Sequence, residues 1–206
     1  KVFLGSITET VPANGKIQPE MEVKISPDVS GEITELKIQE GDWVEQGDLL
    51  LRINPEIYVA NLDRMEASLN NMQSNLAQQK AQLKNAELTH NRNTNLYQKG
   101  AISSAEYETS QNAYELAQLA VEATQYSVES SKASLKEAEN NLNRTSIYAP
   151  ISGTISRLNV EQGERVVGTA QMTGTELLRI ADLEHMEVVV DVSENDILRV
   201  KLGDFA

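Results

Sequence analysis

The residues able to do chemistry are few and widely separated. His90 and His185 stand 95 residues apart, and only His185 has carboxylates beside it, Glu184 and Glu187. A bound metal needs three or four converging donors, so a surface histidine is the simpler reading of His185. Cysteine is absent, which excludes disulfides, thiolate metal sites and a cysteine nucleophile. There is no Gly-rich phosphate loop and no nucleophile motif. We therefore expect no catalytic residue, no cofactor and no metal ligand. One stretch does concentrate distinct side chains around a glycine, from Arg92 through Leu96, Lys99 and Gly100 to Ser103 and Glu106. Arg92 and Leu96, four apart, share a helix face. Ser103 is placed to cap a helix, with Glu106 three residues on to complete a capping box. From Leu88 to Ala105 there is no Asp or Glu, although the chain carries a net charge of −13. A basic turn on an acidic protein orients it toward a polar or acidic partner surface. Ser103 has two readings, a cap or a contact.

That stretch lies in the middle of a segment with its own composition. Of eleven glycines only Gly100 falls within residues 55–146, and of five prolines only Pro55, at the first position. Asn, Gln and Ser supply thirty of those residues, a wet surface on helices with one break. Leu62, Leu69, Leu76 and Leu83 recur at sevens, with Met65, Met72, Gln79 and Ala86 three residues later. Beyond Gly100, Tyr107, Tyr114, Val121, Val128, Leu135 and Leu142 recur likewise, interleaved by Ser110, Ala117, Thr124, Ser131 and Ala138. Two such seams predict an antiparallel coiled-coil hairpin. Pairing Met65 with Leu142 and Ala86 with Val121 reflects the chain about Ser103 and Ser104, a centre that the period fixes only to within a few residues. Each arm of about 43 residues spans roughly 65 Å. His90 and Asn93 interrupt the first seam near the tip, as a frayed coil end or as a polar end that meets a partner. Ala113, Ala120, Ser127 and Ser134 form a small-residue stripe suited to lateral packing, though helix propensity explains the alanines equally well.

The flanks repeat each other. Residues 30–41, from Ser30-Gly31-Glu32-Ile33 to Glu40-Gly41, match residues 152–163, from Ser152-Gly153-Thr154-Ile155 to Gln162-Gly163, at a constant offset of 122 that continues to Val44 and Val166. Each copy closes on a similar strand, Leu51-Arg52-Ile53 and Leu178-Arg179-Ile180. Ile33, Leu36, Ile38 and Val44 are spaced as short strands between Gly turns. Gly31, Gly41, Gly153 and Gly163 mark positive φ or tight backbone approach. Neither half can bury a core alone, so the two are expected to pair into one small sandwich with the hairpin projecting between them. Trp43, opposite Arg165 in the repeat, is read as a core residue. Gln171 and Met172 lie in an insertion that the first half lacks. Aromatics at 4% are too few for one large core. The acidic balance excludes a sizeable nucleic-acid surface, and no stretch reaches the roughly 18 apolar residues of a membrane span. The chain reads as a soluble piece of something larger.

The two copies resemble the half-motifs of a biotinyl/lipoyl domain. A carrier of that family keeps a modifiable Lys in the turn between halves. Here the hairpin replaces the turn, and no Lys lies between Ile53 and Pro55 or between Ser146 and Pro150. Lipoyl halves split around a helical hairpin resemble the periplasmic adaptor, or membrane fusion, proteins of the HlyD/MacA type. The resemblance implies a mixed α and β, elongated fold, with a split lipoyl-like sandwich, a long antiparallel hairpin and the beginning of a β-barrel domain. It divides the chain into an N-terminal barrel-region strand (1–24), lipoyl half-motif 1 (25–54), hairpin (55–146, tip about 97–104), half-motif 2 (147–182) and the start of the barrel (183–206). The spacing of Arg92, Leu96 and Ser103 is similar to a tip motif of the family's efflux adaptors, which implies docking to a TolC-like outer-membrane channel.

The resemblance further implies a non-enzymatic adaptor in the periplasm of a Gram-negative bacterium, anchored to the inner membrane. Its partners would be an inner-membrane ABC (MacB-like) or RND transporter and further copies of itself, a hexameric ring. Gln171 and Met172 would face the axis of that ring. The loop around Gln171 and the segment from Glu184 to Ile197 look nearer MacA-type adaptors, which serve ABC pumps. The competing readings are a type I secretion adaptor, a carrier-type domain and a structural coiled-coil stalk.

Overall fold

The computed structural model describes residues 11, 13–169, 174–194, 200, 201 and 203. Ten strands and two helices follow one another as β1 (Asn14–Pro19), β2 (Glu22–Ile25), β3 (Gly31–Leu36), β4 (Trp43–Val44), β5 (Leu49–Ile53), α1 (Glu56–Gln98), α2 (Ser104–Asn143), β6 (Ser146–Tyr148), β7 (Gly153–Leu158), β8 (Arg165–Val166), β9 (Leu178–Ala181) and β10 (Met186–Asp191). The expected mixed, elongated architecture of sandwich and helical hairpin is what is found.

The sandwich is an interleaved object. One sheet runs β2-β9-β7-β4 and the other β6-β5-β3-β8, so each takes two strands from either side of the hairpin. Adding 122 carries β2, β3 and β4 onto β6, β7 and β8, and the insertion lengthens the step from β5 to β9, Leu51 to Leu178, to 127. Gly31 pairs with Val166 and Glu32 with Arg165, while Gly153 pairs with Val44 and Thr154 with Trp43. The cross-bonds are reciprocal too. The Gly41 N–H donates to Ile155 O and the Gly163 N–H to Ile33 O, at 2.9 and 2.8 Å. Thus each half completes its partner's sheet, and Ile33, Leu50, Leu51, Ile53, Ile155, Val166, Leu177, Leu178 and Ile180 form a single buried core. The glycines divide into two kinds. Gly41 and Gly163 turn the chain at φ of 94° and 88°. At Gly31 a Cβ would meet Ile53 Cγ2 at 2.5 Å, and at Gly153 the Ala181 carbonyl oxygen at 2.7 Å.

Two expectations need adjusting. The first sandwich strand opens at Glu22, pairing Glu22 with Ala181, three residues before the boundary expected at 25. Trp43 is not a core residue: it is 55% exposed while Val44 is 4% exposed. Successive residues of a strand face opposite ways, and the valine takes the inward position. Its repeat counterparts do the same, Arg165 exposed and Val166 buried.

The helices form where glycine is absent and the seam repeats. Every seam position named above is buried or half-buried, with Leu69, Ser110, Val128 and Ala138 the most enclosed. The hairpin grows directly out of the sandwich strands. The Ile53 N–H donates to Thr145 O at 2.8 Å, the Tyr58 hydroxyl donates to Ser30 O at 2.7 Å, and Arg144 pairs with Asp28 at 3.6 Å. These ties fix the rod's direction relative to the core. At the other side of the sandwich β1 and β10 pair as an antiparallel two-stranded ribbon, Asn14 opposite Asp191 and Pro19 opposite Met186. Ile17, Met186, Val188, Val189 and Val190 are all exposed on it. A two-stranded ribbon is marginal by itself. Residues 1–10 and 195–199, within the segments 1–24 and 183–206 expected to belong to the barrel, lie outside the described residues.

Candidate functional site

The tip is built by a helix stop and a helix start six residues apart. Helix α1 ends in a glycine-centred cap: Gly100 takes φ 71°, its N–H donates to Tyr97 O, and the Ala101 N–H reaches back to Leu96 O, both at 2.9 Å. This double bond pattern satisfies the last carbonyls of a helix, and glycine accepts the left-handed conformation it needs without a Cβ penalty. Helix α2 starts on Ser103, whose Oγ accepts from the Glu106 N–H at 3.3 Å. The reverse bond, from the Ser103 N–H to the Glu106 carboxylate, is not formed among the described residues. The expected capping box is therefore half made.

Arg92, Leu96 and Ser103 all lie in this end of the molecule. Arg92 and Ser103 are exposed and Leu96 half-buried. Arg92 and Lys99 form no ion pair among the described residues, so both charges face outward. Just below them sits a cluster of rings that sequence reasoning did not assemble. His90 stacks on Tyr114 at 5.5 Å between centroids and 6° between planes, and lies 5.6 Å from Tyr107. Tyr107 stacks in turn on Tyr97 at 4.9 Å and 14°. Both stacked pairs are symmetric about residue 102, so the fold-back lies ahead of Ser103 and Ser104. A heptad spacing admits neighbouring registers, and the stacked rings select this one.

Gln171 and Met172 lie outside the described residues. The loop that carries them is closed at its neck, where the Thr175 N–H donates to Val167 O at 3.1 Å and the Val167 N–H to Thr175 Oγ1 at 3.2 Å. It is pinned to the opposite half by the Gly168 N–H on Ser30 Oγ at 2.9 Å. His185 binds Asp182 Oδ2 through Nδ1 at 2.9 Å. That hydrogen bond, reinforced by the carboxylate charge, raises the imidazole above its ordinary value and lowers the Asp182 carboxyl. The pair is a surface contact at the junction of β9 and β10. Among the described residues no group of His, Asp and Glu converges as a metal site, and no helix is long and apolar enough to cross a membrane.

Residues 21–177, which span the split sandwich and the hairpin between its halves, match the family model for the RND MFP barrel-sandwich hybrid domain. The chain belongs to the membrane fusion protein family. Relatives of this family include the pyoverdine export membrane fusion protein PvdR of Pseudomonas aeruginosa, 40% identical over 98% of this chain and 51% of its own length. The macrolide export protein MacA of Escherichia coli O157:H7 is 30% identical over 98% of this chain and 54% of its own. Among solved structures, MacA from Actinobacillus actinomycetemcomitans superposes with a TM-score of 0.88 at 29% identity, covering 94% of this chain and 59% of that one. The chain thus spans about half the length of the membrane fusion proteins it matches.

Proposed function

We propose that this membrane fusion protein is the periplasmic adaptor of a tripartite export system, linking an inner-membrane pump to a TolC-like outer-membrane channel. It acts without catalysis. The sandwich and the ribbon, as the start of a β-barrel domain, build a ring near the pump. The hairpins reach to the channel, and the pump supplies the energy. The observation that carries this reading is the tip: an acid-free turn whose two cations have no ion pair among the described residues, at the end of a rod tied to the sandwich through Ile53, Tyr58 and Arg144. In this reading Arg92, Leu96 and Ser103 contact the channel, and Gln171 and Met172 face the axis of a hexamer. The pump is an ABC or an RND transporter: the likeness to MacA supports the first and the RND MFP family model the second.

Because the protein has no native cysteine, Gln98→Cys introduces a unique thiol at the tip. We expect crosslinks from it to the outer-membrane channel in cells. Crosslinks exclusively to another adaptor copy would count against docking.

A further inference from the structure

Helix α2 carries a second heptad row on the side turned away from α1. Leu116, Leu119 and Tyr126 stand on it, 67%, 60% and 64% exposed, with Ala123 between them. They lie about half a turn round the helix from Val121 and Val128, so the chain's own α1 does not cover them. A contiguous exposed apolar patch marks an interaction site. Glu108, Glu115, Glu122 and Glu129 edge the row at sevens, and residues 104–131 contain no Lys or Arg. The contacts of the two central acids are neutral and local: Gln111 Nε2 donates to Glu115 at 3.0 Å and the Tyr126 hydroxyl to Glu122 at 3.1 Å. The outer side of α1 is the counterpart of this face. Leu88, 52% exposed, and the exposed Ala81 stand on it, with Lys84 beside them. Between residues 67 and 99, α1 holds Lys80, Lys84, Arg92 and Lys99 against the single acid Glu87. The one ion pair there, Lys84 with Glu87 at 3.0 Å, is exposed and weak.

We propose that the outer face of α2 packs on the outer face of α1 in a second copy of this chain, with the two hairpins side by side and their tips level. Height decides the pairing. The ring stacks place the bend at residue 102. Leu88 and Leu116 stand equally far from it, as do Ala81 and Ala123. Copies related by rotation about an axis along the rods keep every residue at its own height. Leu116 therefore meets the next copy's Leu88, and Ala123 its Ala81, a large layer and a small one as in a coiled-coil seam. Charge agrees with height. Glu122 comes level with Gln82, between Lys80 and Lys84, so acids of one helix meet cations of the other, whereas two α2 faces brought together would set acids against acids. The contact is heterologous: each copy gives one face from α2 and one from α1, and such a contact passes from copy to copy until it closes as a ring. It rests on the ring proposed above and supplies that ring with two faces and a register.

The test is oxidation in cells of the full-length adaptor, co-expressed as two differently tagged versions, Leu116→Cys and Leu88→Cys. With no native cysteine, every disulfide comes from the introduced thiols. A disulfide needs Cβ atoms about 3.5–4.5 Å apart, while seven residues along a helix span roughly 10 Å, so the bond reads register. We expect a dimer carrying both tags, and species of more than two chains when both cysteines are in one chain. Leu116→Cys with Ala81→Cys or Asn95→Cys, on the same face of α1 one heptad away, should give about tenfold less dimer. Equal yields from the three pairs overturn the register. Species that stop at two chains in the double variant mean a two-fold contact and overturn the pairing of α2 with α1. A photoreactive residue in place of Tyr126 should capture another adaptor copy, and capture of the channel in its place overturns the choice of partner. Docking is read separately through Gln98→Cys. Level dimers with no channel crosslink sink docking alone, and a channel crosslink with no dimer in any pair sinks the side-by-side contact alone.

Discussion

Leu96 shows how a tip residue can hold two duties on separate atoms. Its carbonyl oxygen ends α1, and its side chain lies half-buried on the face it shares with Arg92. A substitution changes only the second. Leu96→Ser or Arg92→Asp should abolish export in a complementation assay while the helical signal in circular dichroism stays as in wild type. Ser103 is separable in the same way. Ser103→Ala should cost about 1 kcal/mol through loss of the cap, measured by thermal unfolding. Ser103→Asp caps equally well but places an anion in an acid-free turn, so retained stability with lost export would separate contact from cap. His185 gives a titration prediction. Its folded-state value lies above 6.5 and that of Asp182 below 3.8. The pair's contribution is therefore complete between those two values. It is lost as pH rises through the raised histidine value, and again as pH falls through the lowered carboxyl. Asp182→Asn should shift the His185 midpoint downward in an NMR titration. At this scale the sequence misled once: a lone tryptophan suggests a core, but strand alternation had already assigned the inward place to Val44.

The hairpin was legible as an element because its signal is redundant: eleven heptad positions on α2 and the absence of glycine agree. What spacing left open was the point of reflection, since sliding one helix by a turn still matches apolar residues to apolar residues. Rings remove that freedom, because a stack of His90 on Tyr114 tolerates only one register. The turn itself depends on Gly100. Gly100→Val forces a β-branched residue into positive φ, costing roughly 1–2 kcal/mol, and should lower the unfolding temperature of the distal hairpin. Gly47 or Gly41 offers an internal comparison, with the same φ sign but no role at the tip. A decrease confined to core unfolding in Gly41→Val, against a decrease confined to tip protection in Gly100→Val, is the expected pair of results.

At the scale of the whole molecule the repeat at 122 announced pairing between halves, and the close-approach glycines show how tight it is. Gly153→Ala must push against a backbone carbonyl, which cannot rotate away, so it should destabilise the fold by about 1–3 kcal/mol in a denaturant titration. The sequence did not disclose that β2 and β6 belong to the repeat as well. Glu22–Ile25 and Ser146–Tyr148 share a place in the two sheets but little beyond an isoleucine, and pairing partners, not side chains, define them. Interleaving has a consequence for folding order. Until the chain beyond the hairpin is in place, each sheet holds only half its strands, and Ile33, Leu50 and Leu51 have nothing to cover them. Helices close locally and fast, so the rod zips shut first and delivers Thr145 to Ile53, and the β core is the last unit to close.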